Sequence, residues 1–396
     1  MKPLIMVSFI LLLISSMGIL LVFLLYPLSL RFVYLIKRKD AVINKDLRPF
    51  VSLLIVVRNA EDLIEEKLRN SLELNYPQEK YEVIVFSDGS TDGTERKVEL
   101  FKDKRLQFFS SNLHRGKSSA MNDAIGSCSG DIVVFSDVDA VLNPNALLKL
   151  VRHYADPDIG GVCGQRVIHR DETQLKDAQK GYIMFDSSIK AMESRVGTIT
   201  SNDGKIYSIR RELYRPIKKA VTDDLFVSLS VIRHGFRFVF EPEAKAYIRI
   251  PSRSTSHEII RRRRIVTGSL KGIWVMKEVL NPFKYGFFSI GLTINKIVRR
   301  LLPVCLILFL LSSLFLSLYH PLFRGILVVQ IVFYLLAVLY PVFFRHISNP
   351  KTAGKFSSLA YYFCLGNYGT LLGLIDFVMG KEIVKWEPIK TDDPEL

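Results

Sequence analysis

Hydrophobic residues fall along this chain in two kinds of pattern. In some stretches they run unbroken for the width of a bilayer; elsewhere they come as short runs or at helical spacing between polar turns. Residues 3–30, between Lys2 and Arg31, carry no charge, and the same holds for Leu301–Tyr319, Gly325–Phe344 and Phe356–Ile375. Each approaches or exceeds the roughly 20 residues that cross hydrocarbon as a helix. The first run leads into Arg31, Lys37, Arg38 and Lys39 without a small-residue cleavage site, which reads as a signal anchor. The last is interrupted by Asn367 and several glycines and closed by Asp376, so it either spans or lies in the interface.

Between Pro49 and about Pro251 the pattern alternates. Phe50–Val57 is a continuous apolar, β-branched run, the mark of a strand buried on both faces. Ala60–Leu74 follows as a helix, with Leu63, Ile64, Leu68 and Leu72 spaced along one face. Tyr81–Ser87, Leu106–Ser110 and Asp131–Ser136 read as further strands, with helices from about Thr91 and over Ser118–Gly126. Alternation of this kind predicts an α/β domain with a parallel sheet and helices on both faces.

From Ser252 to Arg300 the chain is basic and amphipathic, carrying Trp274, Phe283, Tyr285, Phe287 and Phe288, as helices lying in a headgroup layer would. The expected organisation is an N-terminal anchor over 1–36, a globular domain over 49–251 and interfacial helices over 252–300. A C-terminal membrane region of two or three spans over 301–380 and a charged tail over 381–396 complete it. Lys37, Arg38, Lys39, Lys45 and Arg48 follow the first span, and Arg299 and Arg300 precede the second. By the positive-inside rule both flanks, and the domain between them, belong in the cytosol. Residues His320–Arg324 then face outward, and Arg345–Lys355 inward.

Composition adds little to this. The formal charge of +15 sits largely beside the spans, where positive-inside bias and anionic headgroups account for it, so nucleic acid is not an expected partner. Cys128, Cys163, Cys305 and Cys364 have no paired spacing and suggest neither a disulfide framework nor a zinc site.

Two acidic motifs stand where such sheets bind ligands. Asp88 directly follows the second strand, and ligands of open α/β sheets bind beyond the carboxyl ends of strands. A carboxylate there accepts hydrogen bonds from a base or ribose, or else forms an ordinary Asx-turn capping the next helix. Asp137-Val138-Asp139 closes the fourth strand; on an extended chain its two carboxylates share a face. Such a pair suits a hard divalent cation that also binds a diphosphate, the alternative being a solvated acidic turn.

The order of these motifs carries a resemblance. Pro49–Asn59, the Asp88 turn, Arg115-Gly116-Lys117-Ser118-Ser119-Ala120-Met121-Asn122, and Gly130-Asp131 leading to Asp137-Val138-Asp139 resemble the nucleotide-sugar half of family 2 glycosyltransferases. The likeness continues through Gly204, Ile209–Leu213, Thr222-Asp223-Asp224, Gly235-Phe236 and Glu241–Ala244. It covers roughly 49–270, and the flanking spans resemble the membrane synthases for cellulose, hyaluronan and poly-N-acetylglucosamine. The resemblance implies a nucleotide-sugar-binding GT-A-type domain with a mostly parallel central sheet, flanked by transmembrane and interfacial helices. It implies donor contacts at Val57, Asn59, Glu61, Asp88, Lys117 and Asp137, and Mg²⁺ or Mn²⁺ on Asp139 and Asp137. Thr222-Asp223-Asp224 matches a Thr-Glu-Asp motif, which makes Asp224 the expected general base; the alternative for the acidic pair is a helix start.

One departure matters. Where those synthases carry Gln-x-x-Arg-Trp, this chain reads Arg261-Arg262-Arg263-Arg264-Ile265. Arg264 and Arg261 are candidates for diphosphate binding, or for a headgroup-binding basic helix. Ile265 replaces the Trp that stacks on the acceptor sugar. The expected activity is inverting, metal-dependent transfer from a nucleotide-diphospho-sugar, UDP-linked by default, to a growing polysaccharide or surface glycan. Single transfer to a lipid acceptor, a polyprenyl phosphate or a glycolipid, is the alternative. Membrane lipids, and a second copy or partner subunits, are the other expected partners. A non-catalytic membrane scaffold or transporter is the reading from another class; against a scaffold, Asp88, Asp137, Asp139 and Asp224 are all present, and against a transporter, the spans are few.

Overall fold

A computed structural model describes residues 2–168, 174–248, 255–344 and 352–382. The expected boundary at Pro251, the start of the 252–300 segment, most of the loop after Phe344 and the tail beyond Glu382 lie outside the described residues.

The strands are β1 (Val51–Val57), β2 (Tyr81–Asp88), β3 (Leu106–Ser111), β4 (Ile132–Ser136), β5 (Ala140–Leu142), β6 (Ile159–Ile168), β7 (Ile206–Arg210) and β8 (Arg237–Ile248). They form one eight-stranded sheet in the order β3-β2-β1-β4-β7-β6-β8-β5. The first four are parallel, as the strand–helix alternation predicts. Beyond β4 the sheet is mixed: β7 runs antiparallel to β4 and β6, β8 parallel to β6, and β5 antiparallel to β8.

β1 is buried on both faces because both faces are covered. Leu54 joins Ile84, Phe86, Val133 and Phe135 in a core under the helices Lys117–Ala124 and Asp223–Arg233. Leu53 and Ile55 join Val83, Val85 and Val134 in a second core under the helix Glu61–Leu72. The helix after β2 is shorter than expected, Thr94–Glu99 rather than starting near Thr91. The intervening turn is held open instead: Thr91 N donates to Asn59 Oδ1 at 2.8 Å and Gly93 N to Glu61 Oε2 at 2.9 Å. The carboxyl ends of β1, β2 and β4 meet where strand order reverses, the place where such sheets form a ligand crevice.

Among the described residues, three helices are long and apolar enough to cross a membrane: Lys2–Ile36, Phe287–Leu316 and Pro321–Phe343. The second begins at Phe287, inside the segment expected to lie flat, and carries Arg299 and Arg300 within it. The helix Thr352–Val378 packs along Thr255–Val275, where Arg263 Nη2 donates to Asp376 Oδ1 at 2.8 Å. A buried chain of hydrogen bonds ties the membrane helices to the domain. Tyr26 donates to Glu193, Thr200 Oγ1 donates to Glu193 at 2.7 Å, and Asn295 Nδ2 donates to Thr200 Oγ1 at 2.9 Å.

Candidate active site

The first group of candidate residues lies where β1 and β2 end. Val57 is buried at the end of β1. Asn59 has φ 46°, a left-handed conformation that Asn adopts more readily than most residues, and it presents its amide oxygen to the Asp88–Gly93 turn. Glu61 opens the next helix and accepts from the same turn. Asp88 is almost fully buried, and its carboxylate accepts from Arg115 N at 2.9 Å and Gly116 N at 2.8 Å, with His114 Nδ1 also at 2.8 Å. It therefore stitches the end of β2 to the loop that launches Lys117. Gly89, at φ 66°, lets that loop approach: a Cβ there would stand 2.8 Å from His114 N.

The second group is a network of alternating charges. Asp137-Val138-Asp139 is not on an extended chain but in the turn between β4 and β5. Its carboxylates converge nevertheless, because the turn folds both toward Lys205. The register of β4 on β7 pairs Ser136 with Ile206, which sets Lys205 beside Asp137. Lys205 Nζ lies 3.0 Å from Asp137 and 2.7 Å from Asp139. Lys117 Nζ lies 2.7 Å from Asp137 and 2.8 Å from Asp223, bridging the two acidic motifs. Under the turn, fully buried Lys67 donates to Ser136 Oγ at 2.7 Å and to the Ala140 carbonyl at 2.6 Å, clamping both sides of it.

These contacts set the protonation states. Burial opposes the charge of Asp137, but Lys117 and Lys205 outweigh it and hold the carboxyl well below the usual range. Burial likewise opposes the charge of Lys117, and Asp137 and Asp223 raise it above the ordinary lysine value. Lys67 goes the other way: burial pushes it down to about 7 against the pull of Asp137 and Asp139. Two carboxylates within 3.0 Å of one ammonium can converge on a single cation, which is the fit that a divalent metal requires. No set of three His, Cys, Asp or Glu stands ready to hold a metal among the described residues, so substrate oxygens and water must supply the other positions.

Asp224 sits in the first turn of the helix Asp223–Arg233, the helix start that its sequence allows. Burial raises its carboxyl to about 7, reinforced by Asp223 and Asp203. Asn202 Nδ2 donates to its carbonyl at 3.1 Å. The helix Thr255–Val275 presses on this segment at Gly268, where a Cβ would stand 2.9 Å from Thr222 Oγ1. That helix splits the arginine run, because consecutive residues turn about 100° apart. Arg264 carries its charge toward Asp223, Asp137 and Asp224, and burial lowers its pKa. Arg261 forms a fork on Glu258 at 2.9 Å, Arg262 binds Glu258 and Tyr362, and Arg263 binds Asp376. Lys117, Asp137, Asp139 and Asp224 are thus gathered around one crevice with Arg264 in electrostatic range. Asp88, Asn59 and Glu61 adjoin it through residues 114–117, and Arg261 is engaged elsewhere.

The same stretch of sheet and crevice, residues 52–217, matches the family described as Glycosyl transferase family 2. That stretch, less than half of the chain, is by this match a family 2 glycosyltransferase domain. The match takes in Asp88, Lys117, Asp137, Asp139 and Lys205 and stops before Asp224. Curated relatives of the chain include poly-beta-1,6-N-acetyl-D-glucosamine synthase of Staphylococcus aureus strain MSSA476. That protein is 27% identical over 220 residues, which are 54% of this chain and 53% of that protein. The synthase of the same name from Staphylococcus epidermidis is 25% identical over 208 residues, 51% of this chain and 50% of that one. The chain thus spans about half the length of the curated relatives it matches. Among solved structures, the mannosyltransferase PcManGT from Pyrobaculum calidifontis, in complex with GDP-Man and Mn²⁺, superposes with a TM-score of 0.69. At 22% identity it covers 94% of this chain and 100% of its own. That likeness establishes the fold, which is of the GT-A type.

Sequence reasoning missed two lysines of this crevice. Lys205 stands 66 residues from Asp139 and Lys67 stands 69 from Ser136. The register of an antiparallel β7, unread in the sequence, is what brings Lys205 in. For Lys67 a signal existed: it occupies the apolar side of its helix, one residue before Leu68.

Proposed function

We propose that the chain transfers a sugar, with inversion, from a nucleotide-diphospho-sugar to a glycan acceptor at the membrane face. The observation that carries this reading is the shared crevice: two carboxylates converging on one cation, with a separate buried carboxylate, Asp224, close by. An acceptor hydroxyl is a poor nucleophile until its proton is taken, and a carboxylate whose pKa lies near 7 is suited to take it. The acceptor oxygen then attacks the anomeric carbon opposite the diphosphate, whose bond breaks with both electrons leaving on the nucleotide. Lys117 and Arg264 offer positive charge to the departing diphosphate, and the Asp88 turn forms the wall for the base. Mg²⁺ or Mn²⁺ on Asp139 and Asp137 would neutralise further charge on the diphosphate when bound.

The catalytic domain is assigned to the cytosolic side, where basic flanks and nucleotide-sugars coincide, with the apolar helices as a multi-pass anchor. A growing polysaccharide or surface glycan is the leading acceptor, on the likeness to the staphylococcal synthases. Transfer of one sugar to a lipid acceptor is favoured by Ile265 and by the membrane end of the cleft described below. The test is incubation of the purified full chain with radiolabelled nucleotide-sugars and membrane lipid extract, followed by sizing of the product. A ladder of chain lengths supports polymer synthesis and a single organic-soluble band supports lipid glycosylation. Absence of labelled product with every donor would overturn the assignment of transfer.

A further inference from the structure

Five basic side chains gather where the domain meets the helix Phe287–Leu316: Arg166, Lys190, Lys296, Arg299 and Arg300. Two carboxylates serve three of them. Asp203 lies 3.4 Å from Arg166 and 3.9 Å from Lys190, and Asp186 lies 3.0 Å from Lys190 and 3.7 Å from Arg299. Lys296 and Arg300 have no ion pair among the described residues. Among the described residues Lys296 Nζ donates to Ser201 Oγ alone, at 2.8 Å. Arg300 is 9% exposed; its Nη1 donates to the Lys296 carbonyl at 3.0 Å, and its buried Nε has no acceptor among the described residues.

A guanidinium stays charged at any ordinary pH, and burying such a charge unpaired is strongly unfavourable. Among the described residues only the more distant fields of Asp224 and Asp186 offset the charges of Arg300 and Lys296, so a negative group arriving from elsewhere would stabilise the arrangement. Its position says what must carry that charge. Arg300 is in electrostatic range of Asp224 and of Tyr182. Ser201, which holds Lys296, precedes Asn202, which holds the Asp224 backbone at 3.1 Å. On the other side Arg300 is followed by an apolar helix whose Leu301, Ile307, Leu311 and Leu314 are exposed, in a segment long enough to cross a membrane. A ligand bridging these surroundings has an anionic head beside Asp224 and an apolar tail along the helix.

We propose that Arg300 and Lys296 form the headgroup site for the acceptor, a membrane lipid carrying a phosphate or diphosphate. This rests on the glycosyltransferase reading of the crevice and deepens it by naming the acceptor class. Where the lipid phosphate bears a saccharide, the attacking atom is a sugar hydroxyl and its proton passes to Asp224. Where the lipid is a bare monophosphate, its ionised oxygen attacks directly. In both cases the bond from the anomeric carbon to the donor diphosphate breaks and its electron pair leaves with the nucleoside diphosphate.

The test uses the full chain in nanodiscs of neutral phosphatidylcholine and three probes: a C15 isoprenoid phosphate, the uncharged C15 alcohol, and inorganic phosphate. Binding of the lipid phosphate should be the tightest of the three, and Arg300→Gln should weaken it roughly tenfold or more, as loss of a hydrogen-bonded charge does. Arg300→Lys, which keeps the charge, should retain most of the affinity, and Lys296→Gln gives a second variant should Arg300→Gln misfold. Equal binding of phosphate and alcohol, or affinity unchanged in both Arg300→Gln and Lys296→Gln, overturns the proposal. Inorganic phosphate binding as tightly as the lipid overturns the lipid assignment. Transfer of labelled sugar to membrane lipid extract, measured on the same samples, keeps the two readings apart. Its absence with every donor counts against sugar transfer, while Arg300-dependent lipid binding would still stand.

Discussion

At the sheet end of the cleft the charges answer one another: Lys117 and Lys205 each lie within 3.0 Å of two carboxylates drawn from Asp137, Asp139 and Asp223. At the membrane end two carboxylates serve three of five cations, and Arg300 is buried without an ionic partner among the described residues. The two ends prepare for ligands in different ways. A balanced network is stable as it stands, and on the proposed function Asp137 and Asp139 would exchange their ammonium partners for a divalent cation while Lys117 would turn to the diphosphate. An unbalanced one has charge to spare, and on the proposal above it would take a net negative group. Asp224 lies between them, coupled electrostatically to Lys117 on one side and Arg300 on the other.

The comparison breaks most sharply at Asp224. Asp224→Asn should lower kcat by roughly 10²–10⁴-fold, the usual contribution of a positioned base, with little change in donor KM. The wild-type rate should rise with pH through about 7, where Asp224 loses its proton, and this limb should vanish in the variant. Stability carries the opposite sign. The folded chain holds that proton more tightly than the unfolded chain, so stability falls as pH climbs from the ordinary carboxylate range through about 7. Thermal melts across that window should flatten in Asp224→Asn.

A smaller effect is expected beneath the metal turn. Lys67→Met removes the clamp on Ser136 and Ala140 and should weaken apparent Mn²⁺ affinity by roughly 10–100-fold, as loss of an outer support does, while leaving the membrane end intact. Since burial holds Lys67 near 7, the unfolded chain binds the extra proton above that pH, and wild-type stability should gain from pH 7 toward 10. Lys67→Met should lose that gain. Smallest is Asp88→Asn: the amide leaves one of two backbone donors, Arg115 N or Gly116 N, without its carboxylate oxygen, costing about 1–3 kcal/mol. Its signature is a lowered Tm and raised donor KM with kcat nearly unchanged.

Much of this was legible in local patterns. The four parallel strands follow from apolar runs, and Asp88 and the Asp-Val-Asp motif follow from their position after strands. What the sequence hid is what depends on long-range register or on helical phase. The two metal-turn carboxylates meet because of a turn, not the period of a strand. Lys205 enters through β7, a strand whose antiparallel pairing no local pattern announces. The arginine run looks like one cationic block, yet a helix sends Arg264 to the crevice and its three predecessors to Glu258, Tyr362 and Asp376. Arg300 was read as a topogenic flank, because burial of a charge is invisible until a neighbouring element covers it.

The most direct test of the central claim is nucleoside-diphosphate release by the purified chain across a Mn²⁺ titration, wild type beside Asp139→Asn. The account predicts release with at least one nucleotide-sugar, abolished by chelator and reduced on the order of 100-fold or more in the variant at equal metal. Undiminished release by a correctly folded Asp139→Asn variant, or release indifferent to chelator, would contradict it.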